Sequence, residues 1–414
     1  MELEERSGRI DRFFAGRKDK IKEKKVNNQL LDLLEGVEIR TSYGSCLKVE
    51  KIFDLSYKYS QIPLLKTLDY QGEAIAQLSF DRSLLNFDPC KAVFIDTETT
   101  GLSGGVGTYP FLVGIGFFEK DKFKINQYFM RDFNEEGALL FCLRKDLSRF
   151  DFLVSYNGKC FDIPLLSTRF IFNRFDFEIR DFLHLDLLYP SRRLWKLRLG
   201  DLRLVNLERV LLKSEREDDI PSYLVPQIYF EYLRGEIEPV KKIFEHNLYD
   251  ILALVELLGI CSSVVSDPEK AGVDDPLDLF SLGRLYFNLK DYKKSVYCFE
   301  SARSILKDKE LLFKVGRFLS WSYKRKNEYE KAFKFWLELK DSYPEMLFVY
   351  DELAKYYEHK LKEYSKAMEI VDKALEVIES SFDYNYRLVM ESFCYRKKRL
   401  KRKLKKTARC EVST

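Results

Sequence analysis

Apolar and polar positions divide the chain into stretches of different period. The first thirty residues are polar and Lys-rich with few positions suited to a core, which predicts an exposed helix or a loose arm. From Val37 to about Phe80, short apolar runs such as Val37-Glu38-Ile39-Arg40 and Cys46-Leu47-Lys48-Val49 flank Gly44 and predict a small β-rich module. Between about Lys91 and Cys261 strand and helix periods alternate. Strands are expected over residues 91–95, 111–118 and 122–130, the last two joined by the polar turn Glu119-Lys120-Asp121. A helix is expected next, from Asn134 to about Arg149, with Glu135 and Glu136 in its first turn. Then come a strand over 152–156, a helix over 163–172, a strand over 182–188 and a long apolar-faced helix over 240–261. This order reads as a three-stranded antiparallel start followed by α/β alternation in one mixed sheet.

After Ser266-Asp267-Pro268 and Asp274-Asp275-Pro276 the strand signals stop. A helical repeat takes their place. Leu282, Gly283, Tyr286, Ser295, Phe299 and Ala302 recur as Leu319, Ser320, Tyr323, Ala332, Trp336 and Leu339, and in a third copy as Ala354, Tyr357, Ala367, Val371 and Ala374. The small residues Ser295, Ala332 and Ala367 are 37 and then 35 positions apart, near the about 34-residue period of tetratricopeptide helix pairs. Small residues let paired helices approach and aromatics fill the gaps; a generic helical bundle is the alternative. The predicted organisation is an arm and β-rich module over 1–80, an α/β domain over 81–265, helical repeats over 276–385 and a tail over 386–414.

Charge changes the picture of that tail. The chain's 414 residues carry 70 Lys or Arg and 66 Asp or Glu, a formal charge of +4. Ten of the cations lie between Arg396 and Arg409, where no acid occurs, leaving −6 for the remaining 400 residues. The sequence is an acidic body with a basic appendage, suited to anchoring on nucleic acid or to solubility. Eight cysteines without a Cys-x-x-Cys pair, and only three histidines, argue against a structural zinc site. The start lacks an apolar run of signal-peptide length, and no window reaches about 18 uncharged apolar residues. The expectation is a soluble protein of a reducing, cytoplasmic compartment, with no membrane partner.

Three motifs carry candidate chemistry. Val93-Phe94-Ile95-Asp96-Thr97-Glu98 ends the first core strand. Residues two apart on a strand share a face, so Asp96 and Glu98 present two carboxylates together while Thr97 faces away. Like charges that close repel unless a cation sits between them, which points to a divalent metal. In Ser155-Tyr156-Asn157-Gly158-Lys159-Cys160-Phe161-Asp162 a buried strand turns and delivers Asp162 at a helix start. In His246-Asn247-Leu248-Tyr249-Asp250, His246 and Asp250 are four apart and share one helix face.

The strings DTETTGLSGGVGTYPFLVGIG from Asp96, YNGKCFDIPLL from Tyr156 and HNLYDILAL from His246, in this order and on these elements, resemble the DEDD exonuclease superfamily. The match is nearest to its YprB-type branch, with HLDLLYPSRRLW from His184 and LERVLLKSEREDDIPSYLVPQIYFEYL from Leu207 in support. The resemblance implies an α/β ribonuclease-H-like nuclease domain, a mixed five-stranded sheet flanked by helices, followed by an all-α tetratricopeptide-like repeat domain. It also implies a two-metal 3′–5′ exonuclease. By motif, Asp96 would bridge two Mg²⁺ or Mn²⁺ ions, Glu98 and Asp250 would hold the ion that activates the attacking water, and Asp162 would complete the shell of the second metal. In the family's subclasses a His lies five residues before the last acid, or a Tyr four before. Here His246 stands at the Tyr spacing, so a general-base role and a purely positional role both stay open.

The implied partner is RNA or DNA, single-stranded or at a 3′ end, with Thr99, Gly101, Leu102, Asn157 and Lys159 as substrate-contact candidates. Ser103-Gly104-Gly105-Val106-Gly107 lacks the Gly-Lys-Ser/Thr of a nucleotide loop and reads as a sharp turn beside the acids. Leu102 could wedge against a terminal base or serve as core. Arg192, Arg193, Lys196 and Arg198, interleaved with Trp195, suit phosphate contacts and stacking or a solvated face before a helix over 203–213. Asp218-Asp219-Ile220-Pro221 reads as a structural turn and His184 as a core residue. The competing function is an adapter whose repeats bind a protein or nucleic-acid partner while the nuclease fold is inert.

Overall fold

The computed structural model describes residues 28–60, 62–70, 72–101, 107–216, 218–380 and 387–411. The arm expected at the start of the chain lies, through residue 27, outside the described residues, as do Leu102 and residues 103–106. The chain forms two compact units, Met1–Ala271 and Gly272–Thr414.

The first unit is built on β1 (Val37–Thr41), β2 (Gly44–Asp54), β3 (Ala92–Thr99), β4 (Pro110–Glu119), β5 (Lys122–Phe129), β6 (Phe152–Ser155) and β7 (Leu183–Asp186), in the order β1-β2-β5-β4-β3-β6-β7. β4 pairs antiparallel with both β5 and β3, and β3-β6-β7 are parallel. Among the described residues the sheet therefore has seven strands rather than five. The hairpin expected as a separate module extends it, since β2 pairs antiparallel with β5 from Leu47↔Phe129 to Asp54↔Lys122. Left alone, β5 would present an edge of unpaired backbone groups. Leu47 and Val49 are buried in the same core as Phe129, together with Leu30 and Leu34 from a helical stretch over 28–34.

Helices flank the sheet: α1 (Gly72–Ser79), α2 (Glu136–Leu147), α3 (Asp162–Phe172), α4 (Leu188–Leu199), α5 (Val225–Leu233) and α6 (Val240–Ser266). The helix expected over 203–213 is broken into a short α turn at Leu204–Leu207 and a wider π turn at Glu208–Leu212, closed by Lys213 at φ 55°. Such π turns often accompany functional sites. α6, of 27 residues, is long and apolar enough by length and composition to cross a membrane, but 72% of that apolar window is buried in this unit. It packs on β3 and β4 and, toward its other end, on α1 and the turn at Leu64–Asp69. The close approach needs glycine: a Cβ on Gly116 would lie 2.5 Å from Ile251 Cγ2 and 2.7 Å from Phe123 Cζ.

The second unit is helical throughout its described residues: α7 (Pro276–Asn288), α8 (Tyr292–Ile305), α9 (Lys309–Arg325), α10 (Tyr329–Ser342), α11 (Leu347–Tyr356), α12 (Tyr364–Ser380) and α13 (Arg387–Glu411), each packed on the next. Ser295, Ala332 and Ala367 are fully buried at the helix crossings, where Ser295 Oγ donates to Gly283 O at 3.1 Å. The stretch expected as a basic tail from residue 386 is instead a helix on the repeat core. Phe393 and Leu400, seven apart and so on one helix face, are buried there.

Because Gly116 meets apolar neighbours at close range, Gly116→Ala should lower stability by about 1–3 kcal/mol through overpacking of α6. Thermal unfolding of the variant checks this, and an unchanged midpoint would contradict the close docking of α6 on β4.

Candidate functional site

The pleat of β3 and the pitch of α6 meet at the end of the central strand. Asp96 and Glu98 leave β3 beside a register shift between Glu98 and Thr99. From α6, His246, Asn247 and Asp250 face them, occupying positions i, i+1 and i+4 of one helix surface. Asn247 Nδ2 donates to Asp96 Oδ2 at 2.8 Å, and Asn247 Oδ1 accepts from Gln127 Nε2 of β5 at 3.0 Å. A Cβ on Gly114 would sit 2.0 Å from Asn247 Oδ1, so this glycine makes the room in which Asp96 is held.

Asp162 arrives from the other side, as the first residue of α3. The turn that delivers it is shaped by the buried Asp186 at the end of β7, whose carboxylate accepts from the backbone N–H of Asn157 at 2.8 Å, Lys159 at 3.1 Å and Leu188 at 3.0 Å. Asn157 takes a left-handed φ of 62°, and a Cβ on Gly158 would fall 2.3 Å from Ser155 Oγ. Thr97 does not face away from the site as the strand alternation suggests. Its hydroxyl donates to Asp162 Oδ1, because Asp162 approaches β3 from the parallel β6 side.

A cavity of about 590 Å³ gathers these groups, lined among others by Asp96, Thr97, Glu98, Thr99, Asn157, Asp162, His246 and Asp250. Thr99 Oγ1 donates to Gly101 O at 2.8 Å, which fixes the chain beyond β3, although Gly101 itself is not in the lining. Lys159, expected beside the acids, is exposed and outside the lining, because the same turn that aims Asp162 inward leaves its side chain toward solvent. Its charge acts on Asp81 and His184 instead. Leu102 is outside the described residues. Of the basic segment on α4, Arg192 and Lys196 line the cavity with Arg203, while Arg193 is tied to Leu78 O at 2.7 Å. Trp195 is 3% exposed and belongs to the core, so it offers no stacking face. His184 bonds Ser155 Oγ at 2.7 Å through Nε2.

Behind the acids stands a set of residues whose roles the sequence did not disclose. Arg216, its side chain 5% exposed, pairs with Asp250 Oδ1, with Asp219 Oδ2 at 3.1 Å and with Glu208 Oε2 at 2.8 Å. Glu208 is turned inward at the start of the π turn and also accepts from Tyr59 Oη at 2.8 Å. Asp219, read as a structural turn, accepts from His246 Nδ1 at 2.8 Å. That bond aims His246 Nε2 toward Asp250 Oδ2 at 3.7 Å and Glu98 Oε1 at 4.0 Å. Glu208, Arg216 and Asp219 lie in a string that carried the family resemblance, but the three meet only through the π turn.

Burial dominates the electrostatics. It raises Asp96 well above the ordinary carboxylate range, reinforced by Asp250, Glu98 and Asp162. Burial lifts Glu98 to about 8 against the opposing pull of His246, and Asp162 to about 6 against the hydrogen bond from Thr97. For His246, burial works downward, but the bond to Asp219 and the charges of Asp250 and Glu98 outweigh it and raise the imidazole to about 9. Carboxylates this close and this buried repel one another as anions, and a cation between them relieves that repulsion. Among the described residues Arg216 is the one permanently cationic side chain paired with any of the four. Glu98, His246 and Asp250 each offer a ligand atom within 4.8 Å of the others, and the hard carboxylate oxygens among them fit a divalent ion such as Mg²⁺ or Mn²⁺.

Comparison with known proteins adds two findings. A model of the RNase_H superfamily matches residues 93–261, the span that contains Asp96, Glu98, Asp162, His246 and Asp250. A protein of Bacillus subtilis (strain 168) named "Uncharacterized protein YprB" is 32% identical over 308 residues, covering 72% of this chain and 72% of its own length.

The raised groups set a pH dependence. The folded metal-free chain holds protons that the unfolded chain has released on Asp162 between about pH 4 and 6, on Glu98 between about 4.5 and 8, and on His246 between about 6.5 and 9. The folded state binds more protons throughout, so the site's contribution to stability falls as pH rises. A cation that replaces those protons should therefore raise the unfolding temperature more at pH 8 than at pH 6. Thermal scans with and without Mn²⁺ check this, and an equal gain at both values would contradict it.

Proposed function

The chain belongs to the RNase_H superfamily, with YprB among its relatives, and from that premise we propose that it is a metal-dependent phosphodiesterase acting on nucleic acid as a 3′–5′ exonuclease. The observation that carries this reading is the convergence of Asp96, Glu98, Asp162 and Asp250 with His246 on one cavity. An inert adapter has no use for a cavity that raises Asp96, Glu98 and Asp162 at the expense of stability.

Asp96, Glu98 and Asp250 would hold one divalent ion and Asp96 with Asp162 a second. Bound there, such ions supply Lewis-acid polarisation of a phosphoryl oxygen and lower the pKa of a water. The chain's own residues do the rest. Asn247 and Thr97 fix the rotamers of Asp96 and Asp162. Arg216 occupies Asp250 Oδ1, which leaves Oδ2 facing the cavity side of His246. Asp219 holds the Nδ1–H of His246, so Nε2 is the nitrogen that can take a proton from water in the cavity. His246 is protonated in the metal-free chain at neutral pH because the bond to Asp219, joined by the charges of Asp250 and Glu98, outweighs its burial. Neutralising those carboxylates returns it toward the range of a base. Arg192, Lys196 and Arg203 on the cavity rim suit the phosphates of an entering strand.

End-labelled single-stranded RNA and DNA incubated with Mn²⁺ should yield mononucleotides. Long discrete fragments would indicate internal cutting, and intact substrates throughout would refute the phosphodiesterase. Asp96→Asn should abolish turnover. His246→Ala should reduce it about 10²-fold while Mn²⁺ still binds by calorimetry, and full activity of that variant would remove His246 from proton transfer.

A further inference from the structure

α13 sorts the cations from Arg396 to Lys406 into two sets. The inward set is neutralised within the repeat unit. Arg396, Arg399 and Lys403 converge on Glu358, whose side chain is fully buried in the turn after α11, at 3.1, 2.6 and 2.9 Å. Arg396 also pairs with Asp351 at 2.9 Å, and Lys397 with Asp372 at 2.6 Å. The outward set, Lys398, Lys401, Arg402, Lys405 and Lys406, is exposed and pairs with no acid among the described residues. Spacings of three and four residues place all five on one stripe of the helix.

That stripe is electrostatically costly. Its i,i+3 and i,i+4 neighbours are like-charged, and such pairs destabilise a helix. Proximity to the helix carboxyl end offsets this only in part. A polyanion running along the helix would relieve the repulsion. The stripe rises about 12 Å from Lys398 to Lys406, three or four steps of a nucleic-acid strand at about 3.4 Å each. One aromatic continues it: Tyr395 is 68% exposed, one turn before Lys398, with the Arg399 guanidinium 5.9 Å from its ring centre. An exposed ring at the end of a cation track is the combination that holds single strands, by stacking a base beside bound phosphates.

We propose that the outer face of α13 is a second nucleic-acid site, binding the backbone of a single strand through Lys398, Lys401, Arg402, Lys405 and Lys406 with Tyr395 stacking on a base. An anionic membrane is the weaker occupant. Phe393 and Leu400 of this helix are committed to the repeat core, and Leu388 and Tyr395 are the large apolar side chains it exposes among the described residues, too few to form an apolar face for insertion. The site is independent of the chemistry in the carboxylate cavity.

The test uses the full chain in EDTA, so that binding is read whether or not the cavity cleaves. Binding of labelled oligouridylate and oligothymidylate is followed against salt for the wild type and for the combined variant Lys398→Gln, Lys401→Gln, Arg402→Gln, Lys405→Gln, Lys406→Gln. Three or four lost phosphate contacts should reduce the log–log salt slope by about 2 to 3. Helical circular dichroism should be retained, since the substitutions remove like-charge pairs. Tyr395→Ala alone should weaken binding without changing the slope. An unaltered slope in the combined variant would overturn the proposal. So would an unaltered slope accompanied by loss of binding to phosphatidylserine-containing vesicles, which would assign the stripe to a membrane.

Discussion

Mutual repulsion among buried carboxylates is the constraint around which the first unit is organised. Asp96, Glu98, Asp162 and Asp250 come from β3, α3 and α6, and each is steadied by a different partner. Asn247 holds Asp96, Thr97 holds Asp162, Arg216 holds Asp250, and His246 faces Glu98. Among the described residues no partner neutralises the set. Arg216 is already shared with Glu208 and Asp219, so its charge is largely spent before it reaches the cavity. The site keeps a standing demand for cations while its geometry stays fixed.

The demand can be met only if α6 lies close to the sheet, and the two glycines of β4 permit that. Gly116 admits Ile251 and Gly114 admits Asn247, so one docking event places the apolar surface of α6 and aims its polar end. The helix serves two environments: residues 251–258 are buried in the core, while His246 and Asp250 line the polar cavity. This division explains why a helix apolar enough to span a membrane is the central helix of an α/β unit.

Much of this was legible in the sequence. The antiparallel start, the α/β alternation and the long last helix follow from hydrophobic period, and the four acids from spacing and placement. The features that stayed hidden depend on contacts between segments far apart in sequence. The β1–β2 hairpin reads as a separate module because its pairing with β5 has no local signal. Thr97 reads as facing away because strand alternation does not include a neighbour arriving from α3. Asp219 reads as a turn residue because its partner His246 is 27 positions on. Arg216 is one charge among many until the π turn carries Glu208 inward. Trp195 and Lys159 show the reverse case, residues of suitable chemistry that the fold directs elsewhere.

The same sorting governs the basic end of the chain. Arg396, Lys397, Arg399 and Lys403 are absorbed by Glu358, Asp351 and Asp372, and net charge alone conceals which cations remain. Everything proposed for the first unit rests on the carboxylate cavity being a metal centre. Anomalous scattering from crystals grown with Mn²⁺ tests this most directly. Peaks are predicted among Asp96, Glu98 and Asp250, with a second beside Asp162, all lost in Asp96→Asn. A cavity without a peak, with Arg216 and His246 as the sole counter-charges, would contradict it.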